Sequence, residues 1–153
     1  MISGCSYTRV SMLLAVLTKQ GIRTGRDDVY LNVVGGMTLT EPAVDLAIAV
    51  AVVSSVWEVP VPPDVVFLGE VGLGGELRAV PQVEKRVAEA SKLGFRQAVV
   101  PAAARLAVSG LEVVACEGVL DAVQAVLGGP SATRKRGRRR RKEEDDFFPQ
   151  DDD

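Results

Sequence analysis

The chain of 153 residues contains no histidine. That absence removes histidine-based triads, histidine general acid–base chemistry and most zinc sites at once. Cysteine is limited to Cys5 and Cys116, too far apart in sequence for a metal-ligand pattern or a disulfide framework, so both read as small buried thiols in a reducing compartment. Aromatic residues make up only 5%, so any core must be built from valine, leucine, isoleucine and alanine. Long apolar runs are missing too. Residues 46–53 form the longest, far short of the ~20 residues that span a bilayer. The N-terminus lacks a basic segment followed by a continuous apolar one, and Arg9 interrupts it, so it reads as neither a signal nor a transit peptide.

What is present is an ordinary globular balance, 47% apolar and 25% charged. The charge is unevenly placed. Residues 134–142 carry eight Lys/Arg and residues 143–153 carry seven Asp/Glu, which leaves 10 basic and 13 acidic groups in residues 1–129. A wholly basic nucleic-acid-binding domain is therefore excluded, and strong phosphate affinity must come from a patch or from the tail. Like-charge blocks without apolar periodicity predict disorder. The expected division is a folded domain over residues 1–129 and a disordered basic-then-acidic tail over residues 130–153. Helix-like sequence starts within a few residues of Met1, which suggests a piece of a longer protein.

Within the body, Val10, Leu13, Leu14 and Leu17 recur at helical spacing and predict a helix over residues 7–20, ended by Gly21. Residues 29–34 are rich in β-formers and predict a strand, stopped by Gly35-Gly36. Thr40-Glu41-Pro42 reads as a helix start, with Thr40 able to cap and Pro42 suited to the first turn. Residues 43–56 then run almost without polar side chains apart from Asp45, Ser54 and Ser55, as a central buried helix does. Residues 65–68 read as a strand. The glycine-punctuated stretch 69–75 with the extended 76–80 reads as a hairpin or bulged pair. Val83, Val87 and Ala90 predict an amphipathic helix ended by Gly94, with Lys85, Glu89 and Lys92 on its solvated face. Strands over 97–100 and 111–116 precede a last helix carrying Val119, Leu120, Val123, Val126 and Leu127, stopped by Gly128-Gly129-Pro130. This alternation predicts an α/β (α+β) sandwich with a mixed sheet and packed helices.

Two chemical readings fail on local grounds. Gly72-Leu73-Gly74-Gly75 lacks the Gly-Lys-Ser/Thr ending of a nucleotide-triphosphate loop and leads into a strand rather than a helix. Ser54 and Ser55 have no assignable base beside them, and serines late in a helix usually bond back to a carbonyl one turn earlier.

The order of segments from Asn32-Val33-Val34-Gly35-Gly36 onward resembles the proteolytic domain of the Lon family. The landmarks are Thr40-Glu41-Pro42-Ala43-Val44-Asp45-Leu46-Ala47, Val61-Pro62-Pro63-Asp64-Val65, Gly69-Glu70-Val71-Gly72-Leu73, Gly75-Glu76-Leu77, Glu84-Lys85-Arg86 and Lys92-Leu93-Gly94-Phe95. That family uses a Ser–Lys dyad, whose two positions fall here on Ala43 and Glu84. Lys85, one place along, is rotated by about 100° around the helix. Tyr7-Thr8-Arg9, Leu13–Leu17, Asp28-Val29-Tyr30-Leu31-Asn32 and Pro81-Gln82-Val83-Glu84-Lys85-Arg86 add a more specific likeness. Over about residues 5–128 the chain is similar to the C-terminal Lon-like domain of the RadA/Sms DNA repair family.

The resemblance implies a non-proteolytic scaffold and DNA-contact domain, belonging to hexameric rings that act on recombination intermediates. The implied partners are single-stranded or branched DNA, a RadA-type ATPase core or further copies of the chain, and a recombinase, with no membrane. No cofactor is expected in this chain. Neither the four-cysteine zinc finger nor the ATPase core of the family lies in it, so zinc and ATP are implied only for those other parts. The resemblance places such a protein in the bacterial cytoplasm or a plant or algal organelle, whereas the basic run also reads as a nuclear localisation signal.

The candidate DNA-binding residues are Arg78, Lys85, Arg86 and Lys92 in the body, and Arg134, Lys135, Arg136, Arg138, Arg139, Arg140, Arg141 and Lys142 in the tail. Arg86 pairing with Glu84 or Glu89 is the structural alternative. For the tail the alternative is a solvated polyampholyte in which the acidic block masks the basic one. Two other functions stand beside the scaffold. One is a Lon-like serine peptidase with a relocated dyad, and the other is a free-standing regulatory fragment that joins a ring.

Overall fold

The computed structural model describes residues 1–24 and 28–130. The tail expected over 130–153, with its eight candidate cations, therefore lies outside the described residues beyond Pro130. The chain runs β1 (Ile2–Ser3), α1 (Tyr7–Lys19), β2 (Leu31–Asn32), α2 (Asp45–Trp57), β3 (Val65–Phe67), β4 (Glu70–Val71), β5 (Leu77–Arg78), α3 (Val83–Lys92), β6 (Gln97–Pro101), β7 (Glu112–Cys116) and α4 (Val119–Leu127).

The one mixed sheet expected from the sequence is divided into three among the described residues. The main sheet is parallel, in the order β3-β6-β7, while β1-β2 is a parallel pair and β4-β5 an antiparallel hairpin. Strands of two to five residues leave little ladder for a wider sheet. The hairpin is instead attached sideways: Leu77 N–H donates to the Glu117 carbonyl and Val119 N–H to the Gly75 carbonyl, each at 2.8 Å.

Period-two alternation makes the main sheet the wall between two cores. From β6, Val99 joins the core of α1, α2 and α4, while Ala98 and Val100 join the core beneath α3. From β3, Val65 and Phe67 face the first core and Val66 the second. A parallel sheet covered on both faces is the arrangement its backbone favours.

Helix α2 is the centre of the larger core, with Leu46, Ala49, Val50 and Val53 almost inaccessible. It is not buried all round, because Ala51 and Ser55, four residues apart, are exposed. Its entry also differs from expectation. Pro42–Val44 forms a 3-10 turn ahead of α2, and Glu41, without a side-chain cap bond, takes the capping position assigned to Thr40. The strand expected over 29–34 is confined to Leu31–Asn32. Its partner β1 ends at Gly4, whose φ of 82° breaks the extended run. A Cβ there would lie 2.5 Å from the Val33 Cβ, so glycine is required by close approach as well as by φ.

Candidate functional site

The start of α2 and the hairpin meet around Gly69. Gly69 N–H donates to the Ala43 carbonyl at 3.0 Å, and Leu46 N–H donates to the Gly69 carbonyl at 3.1 Å. Ala43 is buried and carries no reacting atom. Glu84 is exposed on the first turn of α3. The two positions expected to bear a dyad thus hold a methyl group and a carboxylate.

An ion pair joins α3 to the residue before the turn that opens α2. Arg86 on α3 grips both carboxylate oxygens of Glu41, with Nη1 at 3.1 Å from Oε2 and Nη2 on Oε1. Its Nε donates to the Pro81 carbonyl at 2.9 Å. Arg86 therefore pairs with neither Glu84 nor Glu89. It lies next to Val87, on the side of α3 turned toward the protein, where Glu41 is the carboxylate in reach.

A second ion pair fixes the other side of the α2 entry. Asp45 is fully buried. It accepts from Arg9 Nε on Oδ1, and from Arg9 Nη2 and the Val71 N–H (3.1 Å) on Oδ2. The carboxylate holds the guanidinium in its charged form, raising the Arg9 pKa chiefly through the hydrogen bond. One side chain of α2 thus ties α1 to the hairpin. A fully buried carboxylate with a protein donor on each oxygen is a structural anchor.

Three of the four body cations expected at a DNA surface are paired with carboxylates. Arg78 on β5 bonds Glu76 Oε1 through Nη2 at 2.8 Å, since residues two apart on a strand share a face. Lys92 Nζ lies 3.4 Å from Glu89. Lys85 and Lys92, seven residues apart, share the exposed face of α3, and Arg86 is turned from them by about 100°. Glu84 and Glu89 are exposed on the same helix. Of the four, only Lys85 has no ion-pair partner among the described residues. The sequence reading missed Glu41, Arg9 and Asp45 as organising residues. The one local signal was Asp45, a charge inside an apolar helix.

The remaining sequence candidates take structural places. Ser54 Oγ donates forward to the Val59 carbonyl at 2.6 Å, rather than back one turn, and so closes the end of α2. Burial pushes the Cys116 thiol upward, as it does half-buried Cys5, and both are free. Among the described residues no group of three His, Cys, Asp or Glu side chains could hold a metal ion. No described helix is long and apolar enough to cross a membrane.

Comparison with known proteins adds relatives to this geometry. The chain is 44% identical to the DNA repair protein RadA of Bacillus subtilis over 133 residues, which is 84% of this chain and 29% of that protein. It is 44% identical to the Escherichia coli protein of that name over 123 residues, 78% of this chain and 27% of the relative. With the Brucella abortus protein it shares 53% over 94 residues, 61% of this chain and 20% of the relative. The chain thus spans less than a third of the length of these relatives. Residues 8–104 match a protein family described as ChlI, subunit ChlI of Mg-chelatase. That match covers more than half of the sequence, and the chain belongs to this family.

Proposed function

We propose that this chain is a non-peptidase, Lon-like domain of a RadA-type DNA repair protein. It serves as a scaffold within an oligomeric assembly and contacts DNA through a charged tail. The repair role rests on the relatives, whose shared name extends over about four-fifths of the chain. The chelatase activity in the family's description belongs to the subunit it names. In the RadA-type reading the partners are DNA, an ATPase core assembled as a ring, further copies of the chain and a recombinase. The domain itself carries no cofactor, and ATP and zinc serve other parts of that architecture.

The observation that carries the non-peptidase role is the buried Ala43 at the nucleophile position, two residues after Glu41, whose carboxylate Arg86 holds. A nucleophilic dyad needs a hydroxyl and an amine brought together, with the amine's pKa lowered in an apolar setting. Here the nucleophile position is an alanine, and a committed ion pair spans the gap between the two elements.

DNA contact is assigned to residues 134–142 because three of the four body candidates are paired with carboxylates. Eight Lys/Arg in nine positions can neutralise several phosphates.

The test is treatment of the 153-residue chain with a fluorophosphonate probe, read by intact mass. No adduct is expected. An adduct on Ser54 or Ser55 that is lost on mutation to alanine would overturn the reading and favour a peptidase with a relocated dyad.

A further inference from the structure

The amino end of the main sheet carries an open hollow of about 260 Å³, lined by Pro63, Asp64, Leu93, Gly94 and Phe95. It lies at the opposite end of β3 from Gly69, because Asp64 precedes β3 and Phe95 and Arg96 precede β6. The Asp64 carbonyl joins the two strands by accepting from Arg96 N–H at 2.9 Å and from Gln97 N–H at 3.2 Å. Helix α3 ends there, and Gly94, at a φ of 91°, turns the chain into β6. Leu93 in that turn is 71% accessible. It and Leu73 are the exposed large apolar side chains after residue 37 among the described residues. Leu73 stands between two glycines at the hairpin tip, whereas Leu93 borders a hollow with Pro63 and Phe95.

Two exposed cations, Lys92 and Arg96, bracket the apolar residues of this turn in the chain. The carboxylates Glu89 and Glu112 at this end are bonded to Lys92 (3.4 Å) and to Gln97 Nε2 (2.9 Å). Arg96 has no ion-pair partner among the described residues. Asp64 is the one acidic residue among those that line the hollow. The sequence itself holds a segment of matching chemistry. Residues 131–153 lie outside the described residues, and their only large apolar side chains are Phe147 and Phe148, half of the four phenylalanines in the chain. Pro149 follows them, with four acidic residues before the pair and three at 151–153. Residues 131–146 span about 50 Å when extended, enough to reach any face of a domain this size.

We infer that residues 143–153 dock on this hollow within the same chain, with Phe147-Phe148 seated on Pro63, Leu93 and Phe95 and the flanking acidic residues facing Arg96 and Lys92. Burial of the aromatic pair supplies the attraction. Charge selects this hollow over Leu73 and opposes it only at Asp64. The docked segment holds the basic run 134–142 beside a body of 10 basic and 13 acidic groups, so its release frees that run for another polyanion.

The test is amide NMR on the 15N-labelled 153-residue chain and its full-length variants, without nucleic acid. Phe147→Ser combined with Phe148→Ser should move the amide resonances of Asp64 and of residues 93–96 and leave those of Leu73 and Gly74 in place. Reciprocally, Leu93→Ser should move the amides of Phe147 and Phe148, and Leu73→Ser should not. Arg96→Gln should lower the ratio of docked to free chain about threefold along the same line of shifts, and Asp64→Asn should raise it. Leu93, Phe147 and Phe148 lie outside both cores, so these variants should keep the fold, which unchanged thermal melting checks. Three results would overturn the inference: no reciprocal shifts, shifts indifferent to Arg96 and Asp64, or shifts that grow with protein concentration, which would make the occupant a second copy. Because no DNA is present, failure of the dock and failure of the DNA contact at residues 134–142 are told apart.

Discussion

Arg86 and Glu41 join the third helix to the turn that opens the central one, with two nitrogens of the guanidinium on two oxygens of the carboxylate. The bidentate fork fixes an orientation that a single contact would not. Both partners are partly exposed, 33% for the arginine and 44% for the glutamate, so the pair stabilises modestly. A double-mutant cycle with Glu41→Gln and Arg86→Met, read by urea unfolding, should give a coupling of about 0.5–1 kcal/mol.

Asp45 should matter far more. Asp45→Ala leaves the Arg9 guanidinium with only the looser Glu70 contact at 3.8 Å, and the Val71 N–H without its acceptor. Removing one partner of a buried pair costs about 3–5 kcal/mol, a large fraction of a small domain's stability. The expected result is a strongly lowered urea midpoint or a chain that no longer unfolds cooperatively. Arg9→Met should cost at least as much as Asp45→Ala, because it leaves the fully buried Asp45 carboxylate without its cation.

The hairpin should loosen in acid. The Glu76 carboxyl sits below its ordinary value of 4.5, chiefly because its own backbone N–H bonds it, with Arg78 and the Gly74 N–H adding to the effect. A lowered folded pKa means the unfolded chain takes up the proton first. The stabilisation is therefore full above 4.5 and fades as pH falls through the folded value. Urea titrations of the native chain and Glu76→Gln over a pH series should differ at pH 7 and draw together as pH falls below 4.5. Added salt should shrink the difference at pH 7, because the group is exposed.

DNA binding should follow the tail rather than the third helix. Deleting residues 131–153 should remove most of the affinity for single-stranded DNA and flatten its salt dependence, because the largest group of phosphate-neutralising charges leaves with it. Deleting only residues 143–153 should strengthen binding by unmasking the basic run. Lys85→Ala should have a small effect and Arg86→Met almost none, since Arg86 is held by Glu41. Fluorescence anisotropy over a salt series measures all four. Unchanged affinity after tail deletion, with loss in the helix variants, would transfer the contact to the folded body.

Much of the fold was legible because its signals are local. Helical stripes and glycine or proline stops located α1, α3 and α4 to within a residue or two, and the glycine run located the hairpin. What was not legible depends on partners distant in sequence. Residues 29–34 read as a full strand, but Gly4 cuts their partner short, a limit set 29 residues away from Val33. Arg9 and Asp45 are 36 residues apart and Glu41 and Arg86 are 45 apart, so no periodicity marks either pair. Arg86 read as a free surface cation for the same reason: its partner Glu41 becomes visible only once the chain is folded, whereas Lys92 pairs with Glu89 on its own helix.

A RadA-type role requires that this chain can replace the matching part of a repair protein. In Bacillus subtilis, the 133-residue region of RadA that aligns with this chain would be exchanged for the corresponding residues, and survival scored after treatment with a DNA-crosslinking agent. The account predicts survival close to that of the parental strain. A chimera present at normal abundance, yet as sensitive as a strain lacking RadA, would contradict it.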